Sequence, residues 1–385
     1  MNKNVKALLA QSRFICRMTE MKNRRSINST MSLRREKSFD DLRAMLSKVR
    51  DRPSDVFPLI SYNEFRSVDL SVIIPVYNVE AYLEQCLDAL FSEEARITFE
   101  VVAIDDGSTD SSGDILDTYA RLHDNLRVFH FANSGVAAAR NRGIELSRGK
   151  WLSFVDPDDI MPIRDLNRAL NAVVDAGAEY AVVSYKTIDD SGLSIGEARE
   201  ILKSDLSVAW GAIYKSEVWK TLRFPEGCWY EDTIISYLVW PLFSGMSFPG
   251  STYQYRQRSG SIVSTTEGNP KGLDFFWLTE TVIEEGVVRG VSIDVLATLT
   301  LKRMGPTMLF CSEVLDGDQM KALFLLCSEI IDRFEPICRD KGHWQNLETA
   351  LRSRDYRRWL WCCLALALEM NFNGAKRAAQ LLLLN

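Results

Sequence analysis

Short apolar runs alternate with amphipathic stretches through the middle of the chain, and this alternation predicts a layered α/β domain. Apolar or β-branched runs of about five or six residues are typical of strands buried in a parallel sheet. Apolar residues three and four positions apart predict helices between these strands. The predicted strands are Leu70–Pro75, Phe99–Ile104, Leu126–Phe131, Trp151–Val155 and Tyr180–Tyr185, and the predicted helices are Val79–Phe91, Asp110–Leu122, Gly135–Ser147 and Ile163–Ala176.

Strand–helix alternation of this kind predicts parallel strands joined by right-handed crossovers. Ligands of such sheets bind beyond the carboxyl ends of the strands. Acidic and aromatic side chains directly follow the predicted strands, so we expect a ligand site at that edge of the sheet. The side chains concerned are Tyr77, Asp105, Asp106, Asp156, Asp158 and Asp159.

Different patterns flank this region. Ser38–Arg50 predicts a helix that begins at a serine cap, Ser204–Leu222 is predicted to be mostly helical, and Ser251–Arg258 is predicted to be extended. Beyond about Lys271 the pattern predicts helices to the end of the chain. The expected divisions are a basic N-terminal extension over residues 1–67, an α/β domain over residues 68–265 and a helical C-terminal region over residues 266–385.

Composition and charge exclude several classes of protein. The chain is 46% hydrophobic and 25% charged, as in an ordinary globular protein, and its net charge of -6 gives no reason to expect nucleic-acid binding. Eight cysteines without a CxxC pair predict reduced thiols rather than a disulfide framework or a zinc site. No stretch reaches the roughly 18 uncharged apolar residues of a membrane-spanning helix. Together with the lack of a signal-peptide pattern, this favours a cytoplasmic protein.

Both ends of the chain carry basic residues that suggest a partner. Residues 1–67 hold 15 Lys and Arg against 7 Asp and Glu. Such an arm can contact anionic lipid, and the alternative is a loosely ordered extension or a start codon assigned too early. Near the other end, Arg357, Trp359 and Lys376 flank apolar helical patterns. These patterns predict either peripheral docking at the inner face of the cell membrane or packing against the α/β domain or a second subunit of a homo-oligomer.

Three carboxylates follow one predicted strand within four positions. Asp156, Asp158 and Asp159 repel one another and need a positive partner if they are buried. Mn²⁺ or Mg²⁺ meets this need, because both ions prefer oxygen ligands and bind one or two protein carboxylates together with substrate phosphates. The alternative is a solvated turn rich in Asp and Pro.

Five short motifs occur in a fixed order near the predicted strand ends. They are PVYN (75–78), DDGSTD (105–110), NSGVAAARNRG (133–143), VDPDD (155–159) and WYED (229–232), which RQRSGSI (256–262) follows. As an ordered set they resemble the family 2 inverting glycosyltransferases of the GT-A fold, which build bacterial cell-surface polysaccharides. The resemblance covers about Val68–Ile262 and departs from the family's pattern at Phe91–Thr98. It implies a Rossmann-like, mostly parallel sheet flanked by helices, with the two terminal regions outside it.

The resemblance also implies a nucleotide site and a metal site. Tyr77 and Asp106 match positions that hold the nucleotide base, and Arg140 is a charge suited to phosphate or ribose. A DxD pair would meet the ribose and a diphosphate bridged by Mn²⁺ or Mg²⁺. The implied nucleotide ligands are Pro75, Tyr77, Asn78, Asp105, Asp106, Arg140, Asp156, Arg258 and Ser261, and the implied metal ligands are Asp158 and Asp156, with Asp159 as an alternative.

A catalytic base is implied in the WYED motif. Asp232 matches the base, with Glu231 adjacent to it, and Arg258 and Ser261 match a later segment that closes over the diphosphate. Two simpler interpretations stay open. Asp232 could merely face the N-terminus of a helix, and Arg258 could be a solvated charge at the rim.

These features predict inverting transfer of a sugar from a nucleotide sugar, with a UDP-sugar favoured, to a glycan or lipid-linked acceptor in cell-surface polysaccharide biosynthesis. A carboxylate base and a cation suffice for one direct displacement, so no activated Ser or Cys is expected. One alternative is a nucleotidyltransferase, but its glycine-rich basic loop is missing from PVYNVEAYL. The other is a catalytically inactive subunit that binds sugar nucleotides.

Overall fold

The computed structural model describes residues 37–53, 57, 67–92, 96–199, 208–258, 269–311 and 314–338. The chain forms two compact units. One unit is Pro53–Ser261, and the other combines Met1–Arg52 with Ile262–Asn385. The first unit contains the five motifs PVYN to WYED, and the second contains helices that lie before and after that unit in the sequence.

A seven-stranded sheet forms the centre of the first unit. Its strand order is β3-β2-β1-β4-β6-β5-β7. Neighbouring strands are parallel except around β6, which pairs antiparallel with both β4 and β5. The predicted α/β class with a mostly parallel sheet is therefore confirmed. The strands are β1 (Val68–Val76), β2 (Phe99–Asp105), β3 (Leu126–His130), β4 (Gly149–Phe154), β5 (Tyr180–Ile188), β6 (Ala212–Lys215) and β7 (Gly245–Arg256).

Four helices connect the first five strands. Of these, α4 packs on β1 and β2, where Ala139 joins Val102 and Ile104 in a buried cluster. Gly143 of α4 faces the side chain of Ile73 so closely that any Cβ at this position would overlap it. The absence of a side chain therefore lets α4 lie close to the sheet. The connecting helices are α2 (Glu80–Phe91), α3 (Ser112–Leu122), α4 (Val136–Leu146) and α5 (Ile163–Asp175).

The prediction of a helix over Ser204–Leu222 is wrong for the described part of that range. Ala212–Lys215 forms β6, and a single 3₁₀ turn, Ser216–Lys220, follows it. β6 lies between two other strands and its first three residues are buried. Pairing with β4 and β5 outweighs the local helical pattern, because strand formation depends on neighbours that lie far away in the sequence.

The second unit is helical and includes part of the N-terminal extension. The predicted helix there is present as α1 (Phe39–Ser47), with Ser38 and Asp41 forming a reciprocal cap. Arg43 of α1 forms ion pairs with Glu280 and Glu329 at 2.7 and 2.8 Å. These contacts join α1 to helices contributed by the C-terminal region. Those helices are α6 (Asp274–Val288), α7 (Ile293–Cys311) and α8 (Gly317–Asp332), followed by the short helix Glu335–Cys338.

Two sequence predictions about the termini fall outside the described residues. The first 36 residues, most of the basic arm, are not described, and neither is the basic and aromatic segment around Trp359. None of the helices within the described ranges combines the length and apolar character needed to cross a bilayer.

Candidate active site

Parallel strands end at one edge of the sheet, and acidic residues follow them there. In the β1–β2 register Val76 pairs with Asp105, and Asp105 pairs with His130 of β3. Asp156 follows β4 two residues after Phe154. β7 runs parallel to β5 and ends at the same edge. The expected convergence of strand ends is therefore present.

The PVYN and DDGSTD loops are linked to each other by hydrogen bonds. The Oδ1 of Asn78 accepts from the backbone N of Thr109 at 2.8 Å, and the N of Asn78 donates to Ser108 Oγ at 3.2 Å. Asn78 adopts a left-handed backbone with φ of 48°, which asparagine tolerates better than most residues. Tyr77, directly after β1 and before Asn78 in the chain, is 50% exposed.

Pro75 was expected to end the first strand, but it lies inside β1. It is buried and its register partner on β2 is Ile104. Proline has no backbone N–H to donate, but a strand can continue through it where no neighbouring strand needs that donor. β1 therefore extends one residue further, to Val76. Pro75 therefore lies in the strand directly before the loop that carries Tyr77 and Asn78.

Asp106 fastens the DDGSTD loop to the start of α4. Its carboxylate accepts from the backbone N of Gly135 at 2.7 Å and of Ser134 at 3.0 Å, and Arg142 donates to it at 3.1 Å. Burial raises the pKa of Asp106, although these donors oppose the rise. Sequence reasoning missed Arg142, which lies two positions after Arg140 in the same motif and also packs over the ring of Phe131.

Asp105 makes contacts within the protein as well. His130 Nδ1 lies 2.7 Å from one oxygen, and the backbone N of Ser108 donates to the other at 2.9 Å. Burial alone would raise the pKa of Asp105, but the hydrogen bonds of His130 and Ser108 lower it. His130 also lies 3.2 Å from Asp117 on α3. His130 thus connects the end of β2 to α3.

Arg140 is the centre of the charged site. Its side chain is only 5% exposed, and it donates to Asp156 at 2.9 Å and to Glu231 at 2.5 Å. Burial works against the charged guanidinium, but the charges of Asp156, Glu231 and then Asp232 outweigh it and raise the pKa of Arg140. One buried cation therefore joins the acidic end of β4 to the WYED turn. Arg140 was expected near phosphate or ribose, and the structure pairs it with carboxylates.

Asp232 lies in that WYED turn. Tyr230 has a left-handed backbone with φ of 65°, which is uncommon for a residue with a Cβ, and the backbone N of Thr233 donates to its carbonyl at 3.0 Å. The carbonyl of Asp232 accepts from Ile235 N at 2.9 Å, where a helical segment begins. That helix contains a π-helical turn, Ile235–Val239, of the kind often found at functional sites.

Asp158 and Arg258 form a second ion pair at the same edge. Arg258 Nε donates to Asp158 Oδ2 at 2.6 Å, and both side chains are about a quarter exposed (27% and 21%). The guanidinium also lies over the ring of Tyr82, 5.5 Å from its centroid. Arg258 is thus oriented toward the acidic cluster. Ser261, its predicted companion, lies outside the described residues.

Asp159 has a different environment from its two acidic neighbours. It is 1% exposed, and its two oxygens accept from Tyr253 Oη and from the backbone N of Arg256, each at 2.7 Å. Burial and the charges of Asp156 and Asp158 raise its pKa well above the usual range. Both oxygens are occupied by β7, so Asp159 is poorly suited to the metal-ligand role considered for it.

Arg256 belongs to the RQRSGSI motif, but its structural role was not predicted from the sequence. It is 2% exposed and donates to four acceptors between 2.6 and 2.9 Å. One acceptor is the carbonyl of Asp158, so Arg256 fixes the backbone of that acidic loop. The remaining acceptors are the carbonyls of Asp189 and Asp190 and the side chain of Gln85.

The described residues contain no group of three or more His, Cys, Asp or Glu side chains arranged to hold a metal ion. Asp156 and Asp158 each pair one oxygen with an arginine, which leaves a second oxygen outside those ion pairs. Mg²⁺ commonly binds one or two protein carboxylates and takes its other ligands from water and substrate phosphate. The side chains present therefore fit such an ion.

Comparisons with known proteins point in the same direction. A family model described as glycosyl transferase family 2 matches residues 71–235. Glycosyltransferase GlyA of Streptococcus pneumoniae is 30% identical over 217 residues, which are 50% of this chain and 31% of GlyA. Glycosyltransferase GlyG of the same organism is 27% identical over 252 residues, 59% of this chain and 83% of GlyG. The chain thus spans less than a third of the first relative and most of the second.

A solved structure shares the fold. The crystal structure of S. aureus TarS 1–349 in complex with UDP-GlcNAc superimposes with a TM-score of 0.58 at 20% identity. The matched region covers 76% of this chain and 90% of that one. At this identity the likeness concerns the fold, and it confirms the predicted GT-A arrangement.

Proposed function

This chain belongs to glycosyl transferase family 2 through residues 71–235, and we propose that it transfers a sugar from a UDP-sugar to a glycan or lipid-linked acceptor with inversion at the anomeric carbon. One observation carries the proposal. Arg140 binds both Asp156 and Glu231, so the predicted nucleotide side and the turn that holds the predicted base share one buried cation. The UDP-GlcNAc bound to TarS supports the choice of nucleotide.

Mn²⁺ or Mg²⁺ would be held by Asp156 and Asp158. A divalent ion at this position neutralises charge that develops on the departing diphosphate. Arg258 would contribute to the same stabilisation once it exchanges Asp158 for phosphate oxygens, because guanidinium groups bind both in the same forked manner. The contact of Arg258 with Asp158 supports this role, since it keeps the guanidinium close to the proposed diphosphate site.

Asp232 would accept the proton of the acceptor hydroxyl as that oxygen attacks the anomeric carbon. A positioned general base contributes roughly 10²–10⁴-fold to the rate. Glu231 pairs with Arg140, so we assign it to holding the turn. We assign the proton transfer to Asp232 because it matches the position of the base in the family's motif. Direct displacement from the face opposite the leaving group gives inversion and needs no covalent intermediate.

Tyr77 would stack on the uracil ring. Its half-exposed side chain at the end of β1 supports this role. Asp106, expected to hold the base, accepts from Ser134, Gly135 and Arg142. We propose that it contributes by shaping the base pocket through these contacts.

The test is UDP release by the purified chain with a panel of UDP-sugars, with Mn²⁺ or Mg²⁺ and with acceptors. Asp158→Ala is expected to weaken metal-dependent UDP binding, and Asp232→Asn to spare UDP binding while abolishing transfer. Asp175→Asn, an exposed acid at the end of α5, is the matched control and should behave as wild type. Wild-type activity in Asp232→Asn would remove the assignment of the base, and failure to bind any nucleotide sugar would refute the proposed function.

A further inference from the structure

We propose that two adjacent residues of α4, Arg140 and Asn141, are positioning residues that hold Asp232 at a fixed distance from the nucleotide side of the site. They do so by fastening the two ends of the segment Phe224–Asp232, which we term the WYED loop. The proposal deepens the proposed function and rests on it, because it concerns the loop that carries the proposed base.

Asn141 fastens the start of the WYED loop. It is fully buried, and its amide pairs with the backbone of Phe224 in both directions: Nδ2 donates to the carbonyl and Oδ1 accepts from the N–H, each at 2.9 Å. Nδ2 also donates to Glu226 at 2.8 Å. Asparagine and glutamine are the side chains that offer a donor and an acceptor on one planar group. A carboxylate or an apolar side chain of the same size could not make this set of bonds.

The start of the loop is rigid for a second reason. The ring of Phe224 is fully buried, stacks on Trp219 at 4.9 Å and meets the edge of Phe154 at 5.2 Å. Asn141 therefore binds a backbone that the aromatic core already immobilises. The remainder of the loop must cross from this anchor to Asp232.

Arg140 fastens the other end. It donates to Glu231, the residue before Asp232, and its guanidinium also lies 5.4 Å from the centroid of the Phe224 ring. The same guanidinium donates to Asp156 at 2.9 Å. Arg140 thus contacts the first residue of the loop, the next-to-last residue of the loop and the end of β4.

The helix that carries both residues is itself tied to the nucleotide side. Ser134 and Gly135, the two residues directly before α4, donate to Asp106 in the DDGSTD loop. α4 is therefore a rigid link between the proposed base pocket and the WYED loop. A shift of the loop by about 1 Å can cost on the order of 10²-fold in rate while leaving remote binding contacts intact.

Asn141→Asp is the decisive variant, because it keeps the shape of the side chain, removes both donated bonds and does not touch Asp156. We expect kcat to fall roughly 10- to 100-fold, with the KM for the donor and the Kd for UDP within about threefold of wild type. Glu231→Gln and Arg140→Lys report on the other end. If both ends hold one loop, the effects of Asn141→Asp and Glu231→Gln will be less than additive in the double variant.

Arg127→Lys is the matched control. Arg127 pairs with buried Glu100 at 2.8 Å and with the carbonyl of Leu146, but it lies near the amino ends of β2 and β3, away from the site. This variant should keep wild-type kcat. A merely structural role for Asn141 would lower UDP affinity and kcat together, or neither, and either result overturns the proposal.

Hydrogen exchange separates failure of this inference from failure of the proposed function. Whether or not the wild-type chain transfers sugar, Asn141→Asp should increase amide exchange within the WYED loop, while Arg127→Lys should not. Unchanged exchange in the loop of Asn141→Asp would refute the positioning role. Absence of UDP release by wild type with every donor would instead refute the proposed activity.

Discussion

Substitution of Asp159 tests whether this carboxylate supports β7 or binds a metal ion. Asp159→Asn retains one acceptor oxygen and replaces the other by an amide donor. Asp159→Ala removes both acceptors and leaves the hydroxyl of Tyr253 and the backbone N–H of Arg256 without their partner. Asp158→Asn is the comparison, because it changes the neighbouring acid that we assign to the metal site.

The contacts set the size of the expected effect. Hydrogen bonds to charged groups contribute about 1.5–3 kcal/mol each, so Asp159→Asn, which loses one, should destabilise the protein by up to about 3 kcal/mol. Relief of repulsion with Asp156 and Asp158 offsets part of this loss. Asp159→Ala strands two buried donors and should cost roughly 2–6 kcal/mol. The Asp158–Arg258 pair is partly solvated, so Asp158→Asn should change stability by less than about 1 kcal/mol.

Two measurements distinguish the roles. Thermal unfolding should give Asp159→Asn a Tm lowered by roughly 3–10 °C, with Asp158→Asn close to wild type. Calorimetric titration of UDP with Mn²⁺ should show the reverse order: Asp159→Asn retains metal-dependent affinity and Asp158→Asn loses it. If Asp159→Asn unfolds like wild type but binds metal and UDP as weakly as Asp158→Asn, Asp159 is a ligand and our account of it is wrong.

Two further predictions concern the sheet and its edge. Gly143→Ala should destabilise the protein by about 1–3 kcal/mol in urea titrations, because the new methyl group overlaps Ile73; an unchanged midpoint would contradict the close packing of α4. The second is a pH dependence: the hydrogen bond to Asp105 raises the pKa of His130, and His130 and Ser108 lower that of Asp105 against its burial. The stability that wild type has in excess of His130→Gln should therefore be at its maximum between about pH 4 and about pH 6.5. It should decline as pH rises through the pKa of His130 and as pH falls through the pKa of Asp105. A difference in urea midpoint that stays constant below about pH 4 and above about pH 6.5 as well would count against the contact.

Much of the sheet was predictable because its parallel strands are buried on both faces. Such strands need apolar runs, and Val72–Val76 and Val101–Ile104 supply them within β1 and β2. β6 was not predictable in the same way. Its four residues form a strand only because β4 and β5 lie on either side of it, and this information is absent from the local pattern.

The site was predictable in its location and only partly in its contacts. Acids placed after parallel strands had to converge, so the position of Asp156 and Asp158 followed from fold topology. Their partners did not. Asp159 contacts Tyr253, 94 positions away, and Arg140 contacts Glu231, 91 positions away. No periodicity in the sequence records such pairs, so the structural role of Asp159 emerged only from the folded chain.

The pairing of α1 with the C-terminal helices has a consequence for how this protein is made. Arg43 and its partners Glu280 and Glu329 are separated by 237 and 286 residues, and every strand of the sheet is synthesised in the interval. A ribosome adds about 5–20 residues per second, so α1 waits roughly 14–57 s for Glu329 to appear. The strands can pair during that wait, whereas the helical bundle closes last. A fragment trimmed to begin at the first strand would leave that bundle permanently without one of its helices.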